Sequence, residues 1–416
     1  MLCQFTVTNY RCIKEAATLS MAAADGLSEH KESLVVDKDE TSFLPLAAVY
    51  GPNGGGKSTI LDALYSLCFK VMNPVVTAIE GVGTRPSDSF SHLIVPYLFD
   101  EQMRELPTEY SLVFRTENYE YEYNLSVLND EVISESLYHK SIVHGRYTRV
   151  FIREKGNQFS LIQSLKRIFS KEESFAISPS LPLLSYLGIV SGQHPVIKDV
   201  VEWFRRKIQF LDYKDSFQEH FMNLPSDGEM KGRILHFLDA MDTCITDYRL
   251  EEVKDPSGSR KRVHIYTQHR IHDTEYELEL HQESSGTIKV FHSLPFIISS
   301  LEDGGALIVD ELDAKLHPAL LQFIIGLFSN REMNPKGAQL VFASQDIMTM
   351  TSQNFRRDEI WFVAKNVDEE AQLYALSDFR GENGKATRKD ASYSKQYMEG
   401  RYGADPFFKK LVGWRD

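Results

Sequence analysis

The chain has 416 residues, 25% of them charged and 42% hydrophobic, with a formal net charge of −13. That is the composition of a folded protein with room for two or three domain-sized units, and it excludes a disordered, collagen-like or disulfide-stapled chain. The acidic balance argues against a coat of nucleic-acid-binding charge, although a local basic groove stays open.

Cys3, Cys12, Cys68 and Cys244 share no metal-ligand spacing and fit a reducing compartment. The opening MLCQFTVTNYRCIKEA lacks the apolar core of a signal peptide, and the longest apolar stretch, residues 291–301, is too short and interrupted to span a bilayer. A cytoplasmic protein without membrane contact is the expectation.

In chain order, residues 2–10 alternate as a strand, and LAAVY, residues 46–50, is a short buried strand. GPNGGGKST follows at once, then the helix pattern ILDALYSLCFKVM. Alternating runs EYSLVF, YEYEYNLSVL and RYTRVFIRE, broken at Asn-Asp and His-Gly, predict antiparallel hairpins. From about 162 to 250 apolar residues recur at three- and four-residue intervals, in HPVIKDVVEWFRRKIQFL and GEMKGRILHFLDAMDTCI, and predict an inserted helical subdomain. RVHIYTQHR and TEYELELH return to strand, a helix runs from about Gly286 to Leu301, and ALIVDE and QLVFASQD are apolar strands with polar carboxyl ends. The units expected are 1–161, the amino-terminal head with an antiparallel β lobe; 162–250, the helical insert; and 251–416, the carboxy-terminal head.

Gly51-Pro52-Asn53-Gly54-Gly55-Gly56-Lys57-Ser58-Thr59 matches GxxxxGK[ST] between a strand and a helix, the context a phosphate loop requires. Its glycines let consecutive N–H groups surround phosphate oxygens at a helix start. Lys57 would reach the β- and γ-phosphates, and the Ser58 hydroxyl would ligate Mg²⁺. In ALIVDE, Asp310 is the expected Mg²⁺ ligand acting through a bound water or from just outside the metal's own ligands, and Glu311 the group that orients the attacking water and accepts its proton. Glu283-Ser284-Ser285-Gly286-Thr287 by itself reads as a helix cap.

Taken in order, GPNGGGKST, ESSGT, ALIVDELDAKLHP and VFASQD resemble the ATP-binding-cassette heads of the SMC and RecF type. NYR near the start, the insert and the ending YMEGRYGADPFF extend the resemblance, over nearly the whole chain, to the stand-alone AAA-type ATPases of bacterial abortive-infection systems. The resemblance implies an α/β P-loop ATPase head, a mixed sheet with an antiparallel β lobe and an inserted helical subdomain, that binds ATP and Mg²⁺. It further implies a homodimer or higher homo-oligomer in which Ser285 and Gly286 cap the γ-phosphate held by the partner's Lys57, while Asp313 falls on the loop crossing between subunits.

Such heads usually place a histidine where Gln345 stands; glutamine donates a hydrogen bond but carries no charge, so slow turnover is expected. Gln102 is the candidate for the family's Q-loop glutamine and a third Mg²⁺ contact, with a surface glutamine as the alternative. Arg11, with Tyr10, lies where related heads meet the adenine or the phosphate loop, or else is an ordinary strand end.

Trp203, Phe204, Arg205, Arg206 and Lys207 could touch nucleic acid, or form an amphipathic helix with its aromatics in the core. His264, His269, His272 and His281 do not share a face and predict scattered hydrogen bonds instead of a metal site. GRYGADPFF is a docking surface or a packed terminus. About seventy residues follow Gln345, too few for a nuclease core, so a separate nuclease or toxin is the expected effector partner. The expected function is an ATP-hydrolysing sensor or scaffold switch in anti-phage defence. The alternatives are a RecF-like DNA-repair ATPase and a non-hydrolysing nucleotide-gated scaffold.

Overall fold

Two large sheets organise the chain in a computed structural model that describes residues 1–74, 93–143, 145–154, 158–167, 177–211, 224–241, 243–254, 261–380 and 387–404. The alternating runs of the first third form a seven-stranded antiparallel sheet. Thr108–Arg115, Tyr119–Leu128 and Glu131–Ser141 are consecutive neighbours in it. The Asn-Asp break before the third of these is a two-residue turn with φ 49° at Asn129 and 65° at Asp130. Two left-handed residues in sequence give the turn whose twist matches that of the flanking strands.

The second sheet has six strands. Ile208–Leu211, Ala306–Val309, Gln339–Ala343, Leu46–Tyr50 and Ile360–Lys365 lie side by side in parallel. Ala371–Ala375 closes one edge antiparallel. The central strands are buried on both faces, which is why they read as unbroken apolar runs. Ala47, Val49, Ile308, Val341 and Ala343 join the core shared with the antiparallel sheet and the helix Lys57–Met72. Leu46, Ala48, Tyr50, Val309, Leu340 and Phe342 face the helix Pro318–Ser329 and Tyr393, Tyr397 and Tyr402.

Gln339, fully buried, stitches the two sheets together. Its Oε1 accepts the Leu2 N–H at 2.7 Å, and its Nε2 donates to the carbonyls of Leu2 at 3.0 Å and Leu44 at 3.1 Å. With these bonds made, a buried amide specifies the docking of the sheets without the penalty of an unpaired polar group.

The stretch read as one helical insert divides between two cores. Residues of Leu183–Val190 and Pro195–Glu202 pack into the core of the phosphate-loop helix. Gly228–Ala240 packs instead with the three-stranded sheet Ile245–Lys254, Lys261–Ile271, Thr274–Glu279 and with Val290, Phe291 and Leu294 of the helix Ser285–Asp303. The helical pattern of 194–211 also ends early. After a wide turn at Trp203–Lys207 the chain becomes the edge strand Ile208–Leu211, because the Ala306–Val309 strand offers an unpaired edge and tertiary pairing overrides local periodicity.

Trp203 and Phe204 are buried, and Trp203 stacks on Phe114 with centroids 4.1 Å apart, so neither ring is a platform for bases. His264 and His281 both pair with Glu279, and His269 pairs with Glu283; no group of three or more His, Cys, Asp or Glu side chains placed to hold a metal occurs among the described residues. Of the GRYGADPFF segment, Tyr402 is buried against Phe362; residues 405–416 lie outside the described residues. Among the described residues no helix is long and apolar enough to cross a membrane.

Candidate nucleotide site

The central strand Leu46–Tyr50 delivers the chain to the carboxyl edge of the parallel sheet, where residues 51–56 turn into the helix Lys57–Met72. Two glycines are required here for different reasons. A Cβ at Gly51 would lie 2.3 Å from the Val363 carbonyl oxygen, so only glycine lets the loop leave beside that strand. Gly56 caps the helix at φ 107°, and a Cβ there would meet the Cys12 sulfur at 2.9 Å.

Lys57 is 7% exposed and lies back over its own loop. Its Nζ donates to the carbonyls of Gly51 at 2.8 Å and Pro52 at 3.2 Å. Burial lowers its pKa, against the opposing pull of Asp313, Asp310 and Glu311. Asp310 ends the buried strand Ala306–Val309, and Ser58 Oγ donates to its Oδ1 at 3.0 Å although the two are 252 residues apart. A hydroxyl and a carboxylate oxygen facing each other beside a phosphate loop are a hard-oxygen pair that fits Mg²⁺.

Arg11, Cys12, Asn53, Gly54, Lys57, Ser58, Thr59, Glu311, Gln345 and Lys365 are among the residues lining one open cavity of about 580 Å³ at this edge. Glu311 sits there in a left-handed conformation, φ 51°. Gln345 is exposed into the same space, and its N–H donates to Asp313 Oδ2 at 3.1 Å, while Asp313 Oδ1 is buried with no hydrogen-bond partner among the described residues. Asp346, next in sequence, does other work: its carboxylate takes the Thr349 hydroxyl at 2.7 Å and amide at 2.9 Å. Of these two neighbours, Gln345 is therefore the side chain that faces the cavity.

Arg11, at φ 49°, pairs with Asp62 and lies over the Tyr10 ring. Tyr10 is buried, donates to the Leu93 carbonyl at 2.8 Å and belongs to the core. Thr59 is buried and accepts from Cys12 Sγ at 3.4 Å, and Gly55 is buried within the turn. Gln102 is not brought to the cavity: it is exposed on the short helix Glu101–Arg104, its N–H bonded to the Asp100 cap at 2.9 Å. That placement follows from the Asp100 cap, which starts a short helix at Glu101.

Ser285 and Gly286 also stand outside the cavity of their own chain, at the start of the helix Ser285–Asp303. Ser284 caps this helix by accepting the Thr287 N–H at 3.1 Å, and Glu283 is anchored by Thr267 at 2.6 Å and His269 at 2.8 Å. The segment is thus both a built helix start and an exposed one.

Three further residues at or near the site carry no motif of their own. Cys12 packs against Gly56, and Lys365, paired with Glu369, lines the cavity from the neighbouring strand. Lys289 is 3% exposed, and its Nζ donates to the carbonyls of Glu311, Leu312 and Ala314. Burial lowers its pKa to about 8. A signal was present: a lysine between Ile288 and Val290, on the apolar side of a helix and four residues after Ser285, has to find acceptors inside.

A phosphate loop on a parallel sheet, with the Ser58–Asp310 pair and an acidic residue beside it, defines a P-loop nucleotide-binding domain. The family profile described as "AAA domain, putative AbiEii toxin, Type IV TA system" matches residues 46–350, most of the chain, and the chain belongs to that family. Two distantly similar solved structures are SMC heads. One, an SMC head bound to the C-winged helix domain of ScpA, is 14% identical, with a TM-score of 0.43 over 90% of this chain and 97% of that one. The other, the SMC head domain from Thermotoga maritima, is 11% identical, with a TM-score of 0.39 over 90% of this chain and 98% of that one. No curated protein matches the chain.

Proposed function

We propose that this chain hydrolyses Mg-ATP and that two copies close face to face on the nucleotide, forming a switch that holds or releases a separate toxic effector in anti-phage defence. The observation that carries the reading is the 3.0 Å contact of Ser58 with Asp310 at a cavity also lined by Lys57, Glu311 and Gln345. Lys57 and the loop N–H groups bind the phosphates. Ser58 and Asp310 hold Mg²⁺, which when bound neutralises charge on the phosphate oxygens. Glu311 orients the attacking water and accepts its proton. Gln345 donates a neutral hydrogen bond toward the terminal phosphate, held by Asp313 on its own N–H.

The second half of each site is Ser285 and Gly286 of the opposite copy. The exposure of Ser285 and the half-buried position of Gly286 at a capped helix start support this, since N–H groups and a hydroxyl there suit an anion. The γ-phosphate then contacts both copies, and that differential contact shifts the population toward the closed form. Membership of a family described with a toxin–antitoxin system supports the defence role. The free thiols of Cys3, Cys12, Cys68 and Cys244 agree with the cytoplasm. The burial of Trp203 and Phe204 weighs against the DNA-repair alternative.

The test is size-exclusion chromatography of Glu311→Gln with and without Mg-ATP. A stable ATP-dependent dimer is expected, with phosphate release reduced at least about a hundredfold. A monomer at saturating ATP would overturn the face-to-face arrangement. Tight binding with no phosphate release by the unmutated chain would leave the non-hydrolysing scaffold.

A further inference from the structure

The helix carrying Ser285 and Gly286 meets the hydrolytic loop at one buried ammonium. Lys289 Nζ donates to the main-chain carbonyls of Glu311 at 2.7 Å, Leu312 at 2.9 Å and Ala314 at 2.7 Å. An ammonium has three hydrogens, and here each has an acceptor in a single loop.

That loop needs holding. Glu311 and Lys315 lie in the left-handed region, φ 51° and 64°, which side-chain-bearing residues avoid. The same helix touches it again, since a Cβ at Gly286 would come 3.0 Å from the Lys315 carbonyl oxygen. On the far side the Leu312 N–H donates to the Ala343 carbonyl at 3.2 Å, and Asp313 takes the Gln345 N–H at 3.1 Å. Helix, hydrolytic loop and switch segment are thereby one connected unit, with Lys289 as the link from the helix.

We propose that Lys289 is a positioning residue for hydrolysis. It fixes the backbone of residues 311–314 so that Glu311 and, through Asp313, Gln345 face the terminal phosphate. The inference rests on the ATPase reading above and adds a buried residue that does not line the nucleotide cavity.

The tests are Lys289→Met, which keeps the aliphatic length without the charge, and Lys289→Arg, which keeps a multi-donor cation. For Lys289→Met, kcat is expected to fall about a hundredfold, as for a small misplacement of catalytic groups, while ATP affinity stays within about threefold. Lys289→Arg should recover kcat to within about tenfold of the unmutated chain. A wild-type kcat in Lys289→Met, or a loss of affinity that equals the loss of rate, would overturn the proposal.

Hydrogen exchange without nucleotide gives a readout independent of turnover. In Lys289→Met the amides of Leu312, Ala314 and Leu316 should exchange at least about tenfold faster, with those of Leu64 and Leu67 unchanged. Acceleration throughout the chain, or none in the loop, would overturn the tether. If the unmutated chain releases no phosphate, the ATPase reading fails, and this exchange comparison still decides whether Lys289 holds the loop.

Discussion

Two loops flank the cavity, and they reach unusual backbone conformations by opposite routes. The phosphate loop turns on glycine, with Gly56 at φ 107° and Gly51 under the Val363 carbonyl. The loop after Ala306–Val309 turns at Glu311 and Lys315, which carry side chains, and is tied from outside by Lys289. The first shape is built into the chain locally. The second is imposed by tertiary contacts, so it can respond when the helix that supplies them moves. A binding loop gains from being preformed; under the proposed function, a loop tied to the helix of Ser285 and Gly286 gains from being conditional.

The largest expected break in this contrast is Lys57→Ala. It should weaken ATP binding at least about a hundredfold by calorimetry, because a charge-assisted contact to phosphate is lost in a partly desolvated site. Gly51→Ala comes next. The added Cβ has no room beside a backbone carbonyl, and denaturant unfolding should show a loss of about 2–3 kcal/mol.

A control from neither loop is Glu359, fully buried, whose pKa burial pushes up to about 8 from 4.5. The folded chain binds this proton more tightly than the unfolded chain. Its contribution is therefore fully present below about pH 4.5 and is lost as pH rises toward 8. Glu359→Gln should flatten that part of the stability–pH curve and be more stable by roughly 1–2 kcal/mol at pH 8, measured by urea denaturation.

Gln345→His should raise kcat about three- to tenfold in a steady-state phosphate assay, because a protonated imidazole adds charge where glutamine supplies only a hydrogen bond. The smallest effect sharpens the comparison most. Lys315→Gly should change stability by less than about 1 kcal/mol, since relief of the left-handed strain offsets the added chain entropy. A large loss there would mean that the Lys315 side chain, not its backbone shape, matters to the loop.

The legible parts of the site were those encoded by neighbours in sequence. The phosphate loop and the acids of ALIVDE each carry their chemistry within a few residues, and the sheet brings Ser58 and Asp310 to 3.0 Å. Gln102 was placed by analogy with a family motif, and a local cap at Asp100 turns that segment into a short exposed helix instead. The helical spacing of Lys289 signals burial but not its partners, because its acceptors are backbone carbonyls more than twenty residues away and carbonyls have no sequence signature. The pattern of 194–211 misled for a related reason: Ile208–Leu211 is a strand only because Ala306–Val309 lies alongside it.

By itself, then, the order of residues determined the class of chemistry, the strand–loop–helix that cradles phosphate, and the acids available to act there, because each depends on backbone permissiveness and side-chain type over short spans. Tertiary structure decided which distant side chains converge, how the middle of the chain divides between two cores, and that a buried lysine is bonded to the main chain of residues 311–314. Those outcomes depend on where a buried polar group can find its partners, which is settled only when the sheets and helices pack.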